Sequence, residues 1–494
     1  MRPSRYLPAV LVAVCAALAV GALPMLDEES YLDLAAQVHD HPWRPYDWWR
    51  SWQPWGDDPA GDTSLFAHPP GHWLWVSLWQ GLLGEHWALR LPVALPWAAI
   101  LGWSAGRLAE SLSPRPHATA LLWLGSPIVL LGLQLSLMVD LPFWSLSTLA
   151  MALWVLRKPG WAGAALSAAC AFKYPALVLW GVWLPLGGRE PKALIRAGLS
   201  FLAGFALVQG FVFASTGQLH LLHVLGHADE IGRGPLLHRG VGVLARLGLS
   251  VSPVAALGVA PLSGLGGLAG LSVFGEELDG GHALLFGLTA WGGVLVAHAL
   301  NALRTPEDRL PALWALLTIA AVLLGHNYAG GRYLLPATLP LALLLSRGLA
   351  RFRPRWVAAM ALPWALLGGW MVHAERQQAR AWEAAALEVS AGPERGVFTG
   401  EWTFRYVMRQ QGWTFRSAGP LEPGTLIARP VHAGPGTLGL DAPVLELFSA
   451  GAPGLRLTDL ERGIGYHAET LGPRPLGWSE GPASQVTLRR VEPE

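Results

Sequence analysis

Apolar runs of about twenty residues recur along most of this chain. Such runs constrain its fold more than any other feature, because in hydrocarbon a backbone satisfies its own N–H and C=O groups only as a helix or a closed barrel. They fall at approximately residues 7-25, 89-109, 118-137, 140-156, 161-173, 175-187, 197-215, 282-303, 310-326, 333-349 and 356-373. The 494 residues are 52% hydrophobic and only 14% charged, too apolar and too long for one soluble core. The fold class expected is therefore mainly α, a polytopic transmembrane helical bundle of about 11-13 spans. The uncertainty in count comes from 250-273, where glycine and proline interrupt an apolar stretch and suggest a hairpin or re-entrant segment. A second break is expected at Lys173-Tyr174-Pro175, where two short helices meet.

The first run carries Arg2 and Arg5 before it and small residues at Val20-Gly21-Ala22, which imitates a cleavable signal peptide. An uncleaved anchor is the better reading, since further spans follow. Short loops rich in arginine and lysine (Arg107 and Arg115, Arg157 and Lys158, Arg189 to Arg196, Arg304 and Arg309, Arg347 to Arg355) fall on the side of Arg2 and Arg5 if 250-273 crosses an even number of times. That side is then cytoplasmic. The opposite face collects Asp27-Glu28-Glu29, the long loop 26-88, Asp140, Lys173, and Arg332. Net charge is +1, so no bulk basic field points to nucleic acid, and none is expected as a partner. Cys15 and Cys170 lie within apolar runs and behave as small hydrophobes.

After residue 374 the composition turns polar. Glu375, Arg376, Arg380, Glu383 and Glu388 open a helix-like stretch, followed by short apolar runs at 397-399, 425-427, 444-448 and 486-488 separated by glycine and proline. The domains expected are thus a membrane unit over 1-374 and a small C-terminal soluble α/β or mainly β domain over 375-494 on the outer side.

No Gly-Lys-Ser/Thr phosphate loop, dinucleotide glycine fingerprint, His-Glu-x-x-His helix or Cys-x-x-Cys pair is present, which removes the commonest soluble cofactor chemistries. The candidates are boundary charges instead. Asp27 or Glu28 near the interface can accept a proton from a hydroxyl, although an acidic cluster there also reads as a helix cap. Asp140 precedes Leu141-Pro142 at a helix end, where capping is again the plain alternative. Lys173 sits at a break between apolar stretches; its stem can snorkel, or its ammonium can meet a phosphate. Arg332, in Gly330-Gly331-Arg332-Tyr333-Leu334-Leu335-Pro336, can anchor to lipid or grip phosphate oxygens in bidentate fashion. The tryptophans at 43, 48, 49, 52, 55, 73, 75 and 79 read as an interfacial aromatic belt, with sugar stacking as the alternative.

Taken in order, Asp27-Glu28 after the first helix, His68-Pro69-Pro70 with aromatics behind it, Asp140-Leu141-Pro142, Phe172-Lys173-Tyr174-Pro175 and Arg332-Tyr333-Leu334-Leu335-Pro336 resemble the C-type membrane glycosyltransferase superfamily. The likeness is greatest to the bacterial branch similar to dolichyl-phosphate-mannose protein mannosyltransferases and lipid A aminoarabinose transferases, and it spans about residues 1-350. Where similar proteins carry Thr-Lys-Gly-Pro, this chain keeps the lysine and lacks the glycine.

The resemblance implies transfer of a sugar, with inversion, from a polyprenyl-phosphate donor to a lipid, glycan or protein acceptor outside the cytoplasm. Membrane lipids are the other partner, in a bacterial inner membrane. Asp27 would be the base and Glu28 would orient it or the acceptor; Lys173 and Arg332 would neutralise the leaving phosphate. Asp140 and His68 would position the donor or a cation, with Tyr174 and Tyr333 as further substrate contacts. A divalent cation is compatible with the carboxylates, but no ligand spacing identifies a metal site, and no other cofactor is expected. Two other readings use the same residues: a lipid-linked saccharide transporter, and an envelope sensor or assembly protein anchored by its helices. The transporter would carry its charges at mid-bilayer depth in paired broken helices, and the sensor would not require Lys173 and Arg332 to approach Asp27.

Overall fold

The computed structural model describes residues 2–46, 68–188, 190–230, 235–254, 280–325, 330–416, 419–431, 433–434, 438–459, 462–467 and 473–492. The expected hairpin at 250-273 falls almost wholly outside these residues, as do the tryptophans at 48, 49, 52 and 55.

Helices dominate up to residue 389. In chain order they are α1 (Pro3–Ala19), α2 (Glu28–Val38), α3 (Gly71–Leu83), α4 (Arg90–Leu112), α5 (Pro116–Leu124), α6 (Pro127–Gln134), α7 (Asp140–Val155), α8 (Pro159–Cys170), α9 (Val178–Gly187), α10 (Pro191–Thr216), α11 (His220–Glu230), α12 (Leu236–Leu247), α13 (Gly280–Ala302), α14 (Arg309–Gly325), α15 (Leu335–Gly348) and α16 (Pro354–Val389). Proline at the first helical positions of α1, α5, α6, α8, α10, α15 and α16 fixes where each begins, since a missing N–H costs nothing there.

Among the described residues, five helical stretches are long and apolar enough to cross a membrane: Trp87–Leu112, Pro191–Thr216, Leu284–Ala302, Gly331–Arg351 and Pro354–Val389. The run expected as one span at 118-137 is two helices, α5 and α6, that together are long and apolar enough for a span but are bent by 63° at their junction. Pro127 at the start of α6 removes an N–H and disfavours helix at Ser126, whose backbone is extended. Other expected spans, α1, α8, α9 and α14 among them, are helices of 17 residues or fewer. The break at Lys173-Tyr174-Pro175 is present: Lys173 is extended, and a single 3-10 turn at Tyr174–Leu177 leads into α9. The lipid-facing character of the bundle is plain on α10, where Ile195, Leu199, Leu202 and Leu207 stand exposed.

α16 runs unbroken from the last span through residue 375, so membrane unit and C-terminal region share one helix. Beyond it lies α17 (Trp402–Gln410) and a five-stranded sheet in the order β2-β1-β3-β9-β4. Its members are β1 (Val397–Phe398), β2 (Thr414–Phe415), β3 (Leu426–Pro430), β4 (Val444–Ala450) and β9 (Ser484–Arg490). β1 pairs in parallel with β2 and β3, while β9 runs antiparallel to β3 and β4. Two small antiparallel pairs complete it: β5 (Gly454–Arg456) with β8 (Gly477–Ser479), and β6 (Thr458–Asp459) with β7 (Ile464–Gly465). The sheet closes over Trp382, Ala385, Ala386 and Val389 of α16 and Phe404 and Met408 of α17. A common core thus replaces a flexible joint between membrane unit and domain.

Candidate active site

Three chain breaks meet at one point: the turn after α1, the extended Lys173, and the turn Gly331–Leu334 before α15. Leu26 holds a left-handed backbone, φ 50°, immediately before Asp27, a conformation that costs a non-glycine residue on the order of 1–3 kcal/mol and persists only where its surroundings impose it. Asp27 occupies the N-cap position of α2 but makes no side-chain cap bond; its Oδ2 instead accepts from Arg332 Nη1 at 2.9 Å. Arg332 Nη2 donates to the Tyr333 hydroxyl at 3.1 Å, and the Tyr333 ring lies 4.9 Å from Lys173 Nζ. Lys173 Nζ then donates to Asp140 Oδ1 at 2.6 Å. Acid, cation, ring, cation and acid form one continuous chain. Asp27 is its exposed end, with 40% of its side chain open, whereas Lys173 is 2% exposed. The ammonium is buried where a snorkelling lysine would be exposed, and the Arg332 guanidinium is engaged by Asp27.

Glu28 faces the other way. Arg90 donates to both of its carboxylate oxygens at 2.7 Å, and the backbone N–H groups of Met25 and Leu137 add bonds of 3.0 and 2.9 Å. Arg90 also donates to Ser136 Oγ and to the Leu23 carbonyl. This pair, at most 1% exposed, ties the turn carrying Asp27 to the turn carrying Asp140. His72 secures the second turn from the opposite side, since its Nε2 lies 2.6 Å from the Leu137 carbonyl and therefore donates to it. The ring stands edge-on to Tyr31 of α2, and burial pushes its pKa down to about 4, so it is neutral. Burial likewise raises the Tyr31 phenol well above its usual range.

The His68-Pro69-Pro70-Gly71 motif serves the backbone. Gly71 N–H donates to the Ala171 carbonyl at 3.0 Å, two residues before Lys173, and a Cβ at Gly71 would stand 2.5 Å from that oxygen. His68 lies at the start of this contact, its carbonyl accepting from Tyr46. Tyr174 points away from the ion chain, bonded to His220 at 2.8 Å and Gln209 at 2.7 Å. Among the described residues no group of three or more His, Cys, Asp or Glu is arranged to hold a metal ion.

The C-terminal region grips the site from two sides. On one, Thr403 donates to the Pro24 carbonyl at 2.6 Å, Arg409 pairs with Glu29 at 3.3 Å and Asp33 at 2.7 Å, and Arg405 lies 3.7 Å from Glu29. On the other, the Tyr466 carbonyl accepts from the Gly331 N–H at 3.0 Å and from Arg246 Nε at 3.1 Å, while Arg246 also donates to the Gly465 carbonyl. Gly331 has no room for a side chain because the Tyr466 ring fills that space. Arg90, His72, Arg246, Arg405, Arg409 and Tyr466 were not singled out by the sequence.

A narrow, mostly apolar crevice lined by Phe143, Leu179, Trp314 and Val322 reaches Lys173 and Tyr333. A wider groove of about 860 Å³ between Arg2, Arg5, Arg107 and His117 lies at the N-terminal end of α1, the far end from Asp27.

No family model matches the sequence, and no curated protein matches it. Among solved structures, the chain is similar to ArnT from Cupriavidus metallidurans bound to undecaprenyl phosphate, at 14% identity over 98% of this chain and 99% of that one, with a TM-score of 0.41. It is also similar to the Archaeoglobus fulgidus oligosaccharyltransferase tethered with an acceptor peptide, at 13% identity over 83% of this chain and 64% of that one, with a TM-score of 0.39. Both likenesses are distant.

Proposed function

We propose that the chain is an integral-membrane glycosyltransferase of the C type that moves a sugar from a polyprenyl-phosphate donor to an acceptor hydroxyl outside the cytoplasm, with inversion. The observation that carries this reading is the convergence of Asp27, Arg332 and Lys173, distant in sequence, in one chain of contacts whose open end is Asp27. An anchored sensor has no need of an accessible carboxylate beside two cations.

In this reading the lipid phosphate approaches Arg332 and Lys173. The phosphate competes with Asp27 for Arg332, which frees the carboxylate as the donor arrives. Asp27 then accepts the proton of the acceptor hydroxyl. The acceptor oxygen forms a bond to the anomeric carbon as the bond from that carbon to the phosphate oxygen breaks. The electron pair leaves with the polyprenyl phosphate, whose added charge the arginine and lysine stabilise. Tyr333 keeps the two cations apart, and Asp140 holds the Lys173 ammonium in place. Glu28 and His68 have no part in proton transfer here; Glu28 fixes the backbone from which Asp27 projects.

The test is incubation of the purified protein with a panel of labelled polyprenyl-phosphate sugars, scoring release of the lipid phosphate. Asp27→Asn should lower release by about 10²–10⁴-fold, the range for a positioned general base, with an unchanged thermal unfolding midpoint. Retained turnover in that variant removes Asp27 from the chemistry. Lipid movement across the bilayer without sugar release replaces the enzyme with a transporter.

A further inference from the structure

α16 fixes a depth scale along one side of the protein. From Pro354 to Glu375 it runs 22 residues, whose 21 rises of about 1.5 Å span about 31 Å, the thickness of a hydrocarbon core. Among its exposed apolar side chains, Leu362, Leu366 and Trp370 recur every fourth residue and form one lipid-facing stripe, while Trp356 stands off it near the helix start. Trp370 lies about 7 Å below Glu375 on this scale, just inside the outer boundary.

The stripe does not end on the helix. Trp478, at the centre of β8 in the C-terminal region, has its ring centroid 6.4 Å from that of Trp370 and is 57% exposed. The residues around it match a headgroup level. Arg462, half-exposed, donates to the Trp478 carbonyl at 3.4 Å, and Glu480 two residues on is 82% exposed. Single exposed apolar side chains need no explanation, but an indole that continues a lipid-facing stripe, with a guanidinium beside it, has the composition of an interfacial anchor.

We infer that the β5–β8 pair seats Trp478 in the interfacial layer of the leaflet on the C-terminal side, so that the domain is held to the lipid surface as well as to the helices. The occupant of this surface is lipid, because the stripe it extends belongs to a spanning helix. The inference rests on the depth of α16 and stands whether or not the transferase reading does.

Cys15 and Cys170 are buried, which leaves an introduced thiol as the site of labelling in the full chain. Nitroxide is attached to Trp478→Cys, to Leu366→Cys as the lipid-facing reference and to Glu480→Cys as the aqueous one. Each is reconstituted into nanodiscs and its collision rates with oxygen and a water-soluble nickel chelate are compared. The ratio of oxygen to nickel collisions at 478 should exceed that at 480 several-fold and approach that at 366. A ratio at 478 equal to that at 480 overturns the inference. A second measurement guards against altered folding in the cysteine variant: with Trp478 intact, a nitroxide at Arg462→Cys, an exposed position whose side chain reaches the Trp478 carbonyl, should broaden on contact with spin-labelled headgroups. Absence of broadening there also overturns it.

Discussion

Removing Arg90 separates the roles of the two adjacent carboxylates Asp27 and Glu28. Its guanidinium makes both contacts to Glu28 at 2.7 Å, and the partners are 1% and 0% exposed. Breaking such a pair by deleting one member leaves a buried charge, which costs about 3–5 kcal/mol. Arg90→Met should therefore destabilise the protein by that amount, the Met25 and Leu137 N–H groups compensating Glu28 only in part. Glu28→Gln should cost a comparable amount, because its amide turns a donor toward the guanidinium. The double variant Arg90→Met/Glu28→Leu removes both charges and should recover most of the loss, giving a coupling energy of about 2–4 kcal/mol. Catalysis behaves differently: sugar release should stay low in all three variants, since the turn presenting Asp27 is unpinned in each. Equilibrium unfolding in mixed micelles gives the energies, and donor cleavage gives the activity. A coupling energy near zero, or full turnover in the double variant, refutes the view that this pair positions Asp27.

Three further outcomes follow from the same contacts. His72, held neutral with its pKa pushed down to about 4 from an ordinary value near 6.5, binds fewer protons folded than unfolded. Its contribution is full above pH 6.5 and is lost as pH falls toward 4, by about 3 kcal/mol in all, and His72→Phe should flatten the unfolding midpoint against pH in that window. Gly331→Ala must push aside the Tyr466 ring; it should destabilise by about 1–3 kcal/mol and lower kcat, measured by donor cleavage. Arg409→Ala removes a partner from the buried carboxylates of Glu29 and Asp33, 2% and 9% exposed, and should cost about 1–3 kcal/mol, read from the unfolding midpoint.

The membrane bundle, the small sheet and the breaks around the site were legible because each has a local signature. Apolar runs mark helices, and short β-branched runs between glycines mark strands, so 397-399, 425-427, 444-448 and 486-488 overlap β1, β3, β4 and β9. Asp27, Asp140, Lys173 and Arg332 stood out as charges at the ends of apolar runs. Arg90 did not, although it also heads such a run, because nothing local tells a buried partner of Glu28, 62 residues away, from a boundary arginine. His72 was lost among the tryptophans around it, and its bond is to a backbone carbonyl. The bend within the span expected at 118-137 was not legible, because hydropathy sums over Gly125 and Pro127 while geometry does not.

Thr403 and Arg409 hold the strand of chain leading into and out of Asp27, and Tyr466 holds the glycine beside Arg332. Neither half of the molecule can therefore be transplanted onto a foreign partner without bringing its mate. A chimera that grafts another protein's outer domain onto these helices would inherit every proposed reactive side chain and still lack the frame that aims them.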